Sequence, residues 1–355
     1  MSASAGTCLV TGGAGFIGCA ISGRLADHFD SVVALDNLHP QVHARPVRPE
    51  ALDERVELVV GDVVDPAAWE ALLSRFRPDV VLHLAAETGT AQSLAESSRH
   101  ARVNVVGTTE MLDALVRHDA LPERVVLSSS RAVYGEGAWA DASGALTYPG
   151  QRGVRMLEAG QWDFPGRSAV PVNASTVRPS PTSVYGATKL AQEHVLGAWC
   201  LAMGVQPVVF RLQNVYGPGQ SLTNPYTGIV PLFARLARDG KEIPVYEDGE
   251  IIRDFVYIDD VVSALARGLE LEAPGEGPYD VGSGVGTSIL DLAGMVAARY
   301  AAPAPRVTGQ FRNGDVRSAR CDIEDTVAAL DWRPEVGVED GVGRLCDWID
   351  DLRSN

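Results

Sequence analysis

Residues 7–18 read TCLVTGGAGFIG, an apolar run that passes directly into a cluster of glycines. The run Thr7–Thr11 predicts a buried strand, and the pattern of residues 15–28 predicts an amphipathic helix behind it. Glycines between them let the backbone turn tightly, and the start of a helix offers free N–H donors with a partial positive charge. A glycine-rich turn alone is compatible with an ordinary loop, but one between a strand and a helix is typical of dinucleotide binding.

Short apolar runs alternate with helical patterns through the first 130 residues. Strands are predicted at 7–11, 32–36, 56–60, 80–85 and 125–128, and helices at 15–28, 66–75 and 98–118. Val and Leu runs separated by helices indicate a parallel sheet buried on both faces, which is the doubly wound α/β (Rossmann) fold. Residues 136–180 are rich in Gly, Pro and Ser and interrupt this pattern. A helix at 184–203 and a strand at 207–212 resume it.

The length of 355 residues suits two units of ordinary domain size. Residues 1–215 are expected to form the nucleotide-binding domain, with the insert at about 136–180. Residues 216–355 are expected to form a smaller C-terminal α/β lobe that binds the substrate. From that lobe, residues at about 253–270 are expected to return to the main domain as a strand and a helix.

Composition excludes several classes of function. The net charge of −16 opposes binding to nucleic acid and to anionic membranes. The apolar runs are too short to span a bilayer, and the first residues lack the basic stretch and cleavage site of a secretory signal. Five cysteines without CxxC spacing argue against a disulfide framework or a zinc site. We therefore expect a cytoplasmic protein with no metal site.

Acidic residues at two strand ends favour NAD as the dinucleotide. Asp36 ends the second predicted strand, 18 residues after Gly18, where a carboxylate can accept hydrogen bonds from the adenosine ribose. The same carboxylate repels a 2′-phosphate, and Asn37 and Leu38 follow it rather than an arginine, so NAD is favoured over NADP. Asp62 follows the third strand, where it either meets the adenine amino group or caps a turn.

A second cluster indicates proton-transfer chemistry. The fifth strand ends in Ser128-Ser129-Ser130, and Tyr185 and Lys189 stand four residues apart on one face of the helix 184–203. A nearby ammonium and a positive cofactor ring would lower the pKa of the phenol toward neutrality. Such spacing arises by chance, but Lys189 is one of only two lysines among 30 basic residues. Arginine is the usual basic residue of this chain, so a lysine at position 189 indicates that a compact ammonium is needed there.

Eight motifs in order resemble the extended short-chain dehydrogenase/reductase superfamily, and within it the NAD-dependent nucleotide-sugar epimerases and dehydratases. They are TGGAGFIG, Asp36, HLAAE, SSS…VYG, YGATK, NVYGPG, RDFVYIDD and RNGD. The resemblance implies Ser130, Tyr185 and Lys189 as catalytic residues and NAD as cofactor. It implies cofactor contacts from Gly12, Gly15, Phe16, Ile17, Gly18, Asp36, Asn37, Asp62, Val63, Leu84, Ala85, Ala86, Asn104, Ser128, Tyr185, Lys189, Gln213 and Val215. Asn104 is alternatively a polar residue on a packed helix.

The two positions after Ser130 separate the subfamilies. Dehydratases of this superfamily carry an Asp-Glu pair there and the decarboxylases keep the Glu, whereas this chain has Arg131 and Ala132. Neither side chain is an acid, so the resemblance favours a 4-epimerase that oxidises C4 and returns the hydride to the opposite face. A 4-keto-sugar reductase is the alternative. The resemblance implies substrate contacts from Glu87, Thr88, Ser130, Arg131, Asn214, Arg253, Arg312 and Asp315. Arg253 and Arg312 would also suit surface ion pairs. Glu87 and Thr88 would also suit loop capping.

The sugar is indicated by three stretches that resemble dTDP-L-rhamnose 4-epimerases: 83–93, 128–137 and 213–229. Ser130 and Tyr185 are 55 residues apart, about twice the span in simpler epimerases, and we expect the insert between them to cover the sugar pocket. A dTDP-6-deoxyhexose such as dTDP-L-rhamnose is therefore the expected substrate, with UDP-glucose or UDP-glucuronate as alternatives. The helices 98–118 and 184–203 match those that pair in dimeric relatives, which implies a homodimer.

Overall fold

A computed structural model describes residues 6–222, 228–271 and 277–354. Its main element is a seven-stranded parallel sheet. In spatial order the strands are Tyr279–Val281, Gln206–Leu212, Arg124–Ser130, Val80–His83, Thr7–Thr11, Ser31–Asp36 and Glu57–Val60. Helices cover both faces, so the inner strands are buried, and the predicted doubly wound α/β fold is confirmed.

The strand order places a ligand crevice at the glycine-rich turn. The chain runs from the strand Thr7–Thr11 to Ser31–Asp36 on one side and later to Val80–His83 on the other. Connections therefore leave these two neighbouring strands in opposite directions, and a crevice opens at their carboxyl ends. The helix Phe16–His28 begins at the same edge and points its N-terminus toward the crevice.

The predicted helix 98–118 contains an irregular turn. It is built from α-helix Ser97–Ala101, a π-helical segment Arg102–Val106 and α-helix Gly107–Arg117. The wider π turn carries Asn104, one of the predicted cofactor residues, whose side chain is fully buried. Such single-turn interruptions occur frequently at functional sites, where they redirect a side chain.

The C-terminal part is more interleaved with the main sheet than its sequence suggests. The strand Tyr279–Val281 completes the main sheet, which was not predicted. Strand Ile252–Tyr257 instead belongs to a second sheet with Asn214–Tyr216, Gly286–Ser288 and Ser318–Ala319, and the helix Ile258–Glu270 after it packs against the core of the main sheet. Three strand residues that follow a Gly- and Pro-containing stretch carry too little periodicity to be predicted.

The remaining elements lie around the two sheets. Strands Pro244–Val245 and Arg306–Val307 pair with each other. The other helices are Pro66–Leu73, Gln92–Ala95, Val154–Glu158, Val184–Met203, Ile229–Arg238, Ile289–Arg299, Glu324–Leu330 and Val338–Ser354. Within the described ranges, no helix is both long enough and apolar enough to cross a membrane. Residues 223–227 of the stretch 213–229 lie outside the described residues.

The insert folds as a small antiparallel sheet of Trp139–Asp141, Leu146–Thr147 and Arg167–Ala169, and it is anchored by buried charge. Arg152 donates two hydrogen bonds of 2.8 Å to the Glu247 carboxylate, and each side chain is only 1% exposed. Arg152 also donates to the carbonyl oxygen of Asp315 at 2.9 Å. Arg317 donates to the same Glu247 and to Asp163 of the insert. The insert therefore rests on the loop that carries Asp315.

We expect Arg152→Met to lower the free energy of unfolding by about 3 kcal/mol, because it leaves a buried carboxylate short of its partner. Glu247 keeps its contact with Arg317, which limits the loss. Arg333→Met is the matched control, because Arg333 pairs with Glu324 at the surface, with side chains 62% and 68% exposed, and should cost under about 1 kcal/mol. Urea unfolding measures both, and equal losses would contradict the anchoring role.

Candidate active site

The glycine-rich turn is shaped by close backbone contacts. Gly12 has a φ of +68°, and a Cβ there would lie 2.7 Å from the backbone nitrogen of Ala85. A Cβ on Gly13 would lie 2.7 Å from the Cβ of Ala34, and one on Gly18 would lie 2.5 Å from the carbonyl oxygen of Gly13. The turn therefore lies directly against two neighbouring strand ends and the first turn of the helix, which leaves its outer side open to a ligand.

The helix behind this turn offers unused donors. Gly15 is its N-cap and supplies no side-chain hydrogen bond, and the first turn contains no acidic residue. Phe16 and Ile17 turn their side chains into the apolar cores, so only their backbone faces the turn. Free N–H groups with the positive end of a helix dipole suit a pyrophosphate, so the residues present fit the nucleotide.

Asp36 lies where a ribose would be recognised. Its carboxylate accepts hydrogen bonds from the backbone N–H of Ala14 at 3.1 Å and of Leu38 at 2.8 Å, and it remains 9% exposed. His43 Nε2 is 3.8 Å from the carboxylate. The guanidinium of the nearby Arg48 donates hydrogen bonds to three backbone carbonyl oxygens, so it is not free to bind a 2′-phosphate. This arrangement fits NAD.

A cleft surrounds these groups. Nine of the eighteen predicted cofactor residues line it, namely Gly12, Gly15, Asp36, Asn37, Asp62, Val63, Leu84, Ala85 and Ala86. Asn37 donates to the Asp62 carboxylate at 3.0 Å, so the two form one rim. Sequence reasoning missed the loop that closes the other side, with His39, Gln41, Val42 and His43. Their only signal was their place directly after Asp36.

Glu87 and Thr88 were predicted as substrate contacts, but the structure places them in this nucleotide cleft. The Glu87 carboxylate is ion-paired with Arg99 at 2.9 Å. Asn104 holds the backbone of Glu87, accepting from its N–H at 2.8 Å and donating to its carbonyl oxygen at 3.0 Å. Asn104 also donates to the Thr188 hydroxyl at 3.0 Å. It therefore ties the cleft wall to the helix that carries Tyr185.

Ser130 and Tyr185 form a hydrogen-bonded pair at the carboxyl end of the main sheet, and Lys189 lies one helix turn after Tyr185. Ser130 ends the strand Arg124–Ser130 and hydrogen-bonds the Tyr185 phenol. The helix Val184–Met203 is held at its start because Ser183 caps the N–H of Gly186 at 3.0 Å and the Ser93 hydroxyl accepts from the Tyr185 N–H at 3.1 Å. Lys189 is 2% exposed and donates to the carbonyl oxygen of Ser128 at 2.8 Å.

The electrostatics of this group differ from the expectation. Burial raises the pKa of the Tyr185 phenol, and the hydrogen bond with Ser130 and the Arg131 guanidinium act in the opposite direction. Burial lowers the pKa of Lys189 to about 7, against the attraction of Glu193. The cation that acts on the phenol is therefore Arg131 and not Lys189, which the helical spacing predicts.

Sequence reasoning missed a buried polar network behind the catalytic helix. Glu193, one turn after Lys189, accepts hydrogen bonds from the Ser129 hydroxyl and from Arg211, the latter at 2.7 and 3.0 Å. Arg211 also donates to the Tyr134 hydroxyl, which donates to Asp280 on the last strand of the main sheet. The network fixes Ser129 and hence the end of the strand that carries Ser130. The i+4 spacing from Lys189 was its only signal in the sequence.

A smaller pocket adjoins the catalytic group, and three predicted substrate residues line it: Arg131, Arg253 and Asp315. Thr182 and Ser183, just before Tyr185, line it as well. Arg312 does not line it, because its guanidinium lies 5.0 Å from the centre of the Tyr246 ring on the exposed side of the loop. The structure therefore does not bring Arg312 together with Arg253, and Arg131 lies in the pocket with Arg253 instead.

Unpaired polar atoms lie just after the carboxyl end of one strand of the main sheet. Both polar atoms of the Gln213 amide and the Oδ1 of Asn214 are buried with no hydrogen-bond partner among the described residues. They follow the strand Gln206–Leu212 at its carboxyl end, and Val215 beside them packs into both cores. Buried amides without a partner are costly, which is consistent with partners supplied by a ligand. Across the described ranges no cluster of His, Cys, Asp or Glu is placed to hold a metal ion.

Comparisons with known proteins agree with this geometry. The NAD dependent epimerase/dehydratase family matches residues 8–282. The chain is 61% identical over 341 residues to a dTDP-L-rhamnose 4-epimerase of Burkholderia thailandensis, covering 96% of this chain and 94% of that one. Its fold is similar to that of a UDP-glucose 4-epimerase from Thermotoga maritima solved with UDP-glucose, with a TM-score of 0.81, 27% identity and coverage of 98% and 99%.

A second solved structure adds the cofactor. The UDP-glucose 4-epimerase of Thermus thermophilus, in complex with NAD, has a TM-score of 0.77 and 30% identity to this chain, covering 97% of it and 99% of that structure. The match extends across both the nucleotide crevice and the C-terminal part. The chain therefore belongs to the NAD-dependent epimerase/dehydratase family of the extended short-chain dehydrogenase/reductase superfamily.

Proposed function

We propose that the chain is a nucleotide-sugar 4-epimerase whose substrate is a dTDP-6-deoxyhexose such as dTDP-L-rhamnose. The observation that carries the reaction type is the hydrogen-bonded pair of Ser130 and Tyr185 beside a turn that holds Arg131 and Ala132. That pair moves one proton on and off one hydroxyl, and the turn offers no acid for eliminating water. The sugar is proposed from the 61% identity to the Burkholderia enzyme.

Tyr185 and Ser130 carry the proton transfer. The Tyr185 phenolate takes the proton of the sugar C4 hydroxyl while the Ser130 hydroxyl donates a hydrogen bond to the same oxygen. NAD, when bound, supplies the acceptor for the C4 hydride and later its donor, so the overall reaction involves no net oxidation. After the bound 4-keto sugar has rotated to present its opposite face, Tyr185 returns its proton to the C4 oxygen and is again a phenolate.

Epimerisation requires the nucleotide to stay bound while the sugar turns. Arg253 is 8% exposed and lines the smaller pocket, and among the described residues it makes one hydrogen bond, to the carbonyl oxygen of Ile252. Its remaining donors suit a diphosphate, which a planar guanidinium binds with two parallel hydrogen bonds. The unpaired Oδ1 of Asn214 would accept a hydrogen bond from a hydroxyl of the sugar. The insert, bonded to Asp315 through Arg152, would limit the space in which the sugar turns.

Proton NMR of the purified protein with dTDP-L-rhamnose and catalytic NAD tests the proposal. We expect the large H3–H4 coupling of the substrate to give way to a small one, without accumulation of NADH. Turnover on UDP-glucose or UDP-glucuronate instead would keep the reaction and correct the sugar. A requirement for a keto sugar and stoichiometric reduced nicotinamide would replace the epimerase with a reductase.

The organisation of the chain follows from the same proposal. Residues 1–215 would form the NAD-binding unit and residues 216–355 the nucleotide-sugar lobe, with the strand Tyr279–Val281 and the helix Ile258–Glu270 shared with the main sheet. We propose a homodimer through the helices Gly107–Arg117 and Val184–Met203, where Val116 is 45% and Leu201 87% exposed. Light scattering would measure its mass. The five free cysteines are consistent with the cytoplasm.

A further inference from the structure

The turn after Ser130 is held tightly against the start of the catalytic helix. Residues Arg131–Tyr134 form a 3-10 turn whose N-cap is Ser130, and the Ser130 side chain accepts from the N–H of Ala132 at 3.2 Å. Gly186 packs on this turn so closely that a Cβ there would overlap the carbonyl oxygen of Ala132. The backbone of Arg131 is therefore fixed beside the start of the helix that carries Tyr185.

The Arg131 guanidinium has no hydrogen-bond or ion-pair partner in the part of the chain that the structure describes. By contrast, three fully buried arginines each pair with a carboxylate: Arg152 with Glu247, Arg211 with Glu193, and Arg317 with Glu247 and Asp163. Arg131 is only partly buried and lines the smaller pocket beside Thr182 and Ser183, so its unpaired donors are available to a partner that appears during the reaction. The Tyr185 phenolate is such a partner.

We propose that Arg131 is a positioning residue of the reaction, whose guanidinium stabilises the ionised phenol of Tyr185. The inference rests on the proposed function and deepens it. At the position where dehydratases of the superfamily place an acid, this chain has a cation instead, which serves proton abstraction at C4 rather than elimination of water.

The electrostatics of the pair support this assignment from both sides. Burial raises the pKa of Tyr185, while Ser130 and then Arg131 lower it. Burial lowers the pKa of Arg131 to about 9, Arg253 lowers it further, and Asp315 and Tyr185 oppose this. Each neighbouring segment also carries charged groups. Lys189 and Glu193 lie on the same helix as Tyr185, and Glu136 follows the turn. Arg253 and Asp315 lie across the pocket, and Arg99 is paired with both Glu87 and Glu96.

The pH dependence follows from the sign of these effects. The phenolate is the reactive form, so the rate rises as pH passes upward through the pKa of Tyr185. Removing Arg131 raises that pKa and moves the rising limb of the kcat profile to higher pH. We expect Arg131→Met to move it by about one pH unit, so that kcat falls roughly tenfold on the limb, and Arg131→Lys to restore part of the shift.

The test measures kcat and KM against pH, together with the phenolate absorbance of the NAD-loaded enzyme, taken as a difference from Tyr185→Phe. Arg253→Met is the matched control, because it removes an arginine of the same pocket and should raise KM without moving the limb. The inference would be overturned if both Arg131 variants raised only KM. In that case the rising part of the kcat profile and the midpoint of the absorbance titration would stay at the pH of the parent enzyme. The absorbance needs no substrate, so it decides the inference even if every nucleotide sugar is inert and the proposed function fails.

Discussion

Tyr185→Phe is expected to lower kcat by roughly 10²–10⁴-fold, because it removes the group that takes the C4 proton and returns it. The phenol is the only titratable side chain that the structure, in its described part, hydrogen-bonds to Ser130. Removing the oxygen leaves the ring, so the packing between the helix start and the Ser130 turn should remain. We expect NAD binding and the melting temperature to change little. Rates are measured by NMR on dTDP-L-rhamnose and NAD binding by calorimetry.

Tyr148→Phe is the control for this variant. Tyr148 lies on the insert, where its hydroxyl accepts a hydrogen bond from the Arg178 N–H, and it is outside both pockets. Its loss should leave kcat within about threefold of the parent, since no proton transfer depends on it. A Tyr185→Phe enzyme that kept its kcat would assign the proton transfer elsewhere. Glu136 would be the next candidate, because burial raises the pKa of its carboxyl to about 7 close to Arg253.

The parts of the site that were predictable lie within single strand–turn–helix units. Gly12 and Asp36 follow strands whose apolar runs are unmistakable, and Tyr185 and Lys189 share one helix turn. In each case a few neighbouring residues determine the local backbone, and the parallel sheet brings the strand ends together. The fold class was therefore predictable from periodicity, and so was the proximity of the nucleotide cleft and the Ser130–Tyr185 pair.

The features that were not predictable depend on contacts between distant parts of the chain. Arg312 stacks on Tyr246 rather than joining Arg253, and no local pattern distinguishes those outcomes. Arg131 lies near the Tyr185 phenol because its turn packs on Gly186. That contact joins Gly186 to Ala132, which is 54 positions earlier in the chain. The anchoring of the insert by Arg152 and Glu247 likewise joins residues 95 positions apart. Such pairings are determined by tertiary packing, which propensity and spacing do not encode.

Gly18→Ala is expected to weaken NAD binding by roughly 100-fold, the equivalent of about 3 kcal/mol for overpacking that cannot relax locally. Its Cβ would lie 2.5 Å from the carbonyl oxygen and 2.6 Å from the Cα of Gly13. Gly13 cannot retreat, because it already lies against Ala34 of the neighbouring strand. The turn itself must therefore shift, and its N–H groups leave the positions that suit the pyrophosphate. Calorimetry gives Kd, and thermal unfolding of the NAD-free protein gives the cost to folding.

Gly23→Ala separates this effect from a general response of the helix to alanine. Gly23 lies on the same helix, and a Cβ there meets only the Asp53 carboxylate at an ordinary 3.4 Å. Alanine is the better helix former by about 1 kcal/mol, so this variant should be slightly more stable and bind NAD unchanged. Equal affinities for the two variants would mean that the first turn of the helix does not hold the nucleotide. If Gly18→Ala lowered the stability of the NAD-free protein but left the affinity for NAD unchanged, the turn would have kept its shape despite the strain. The sheet, rather than the helix, would then hold the pyrophosphate site in its binding conformation.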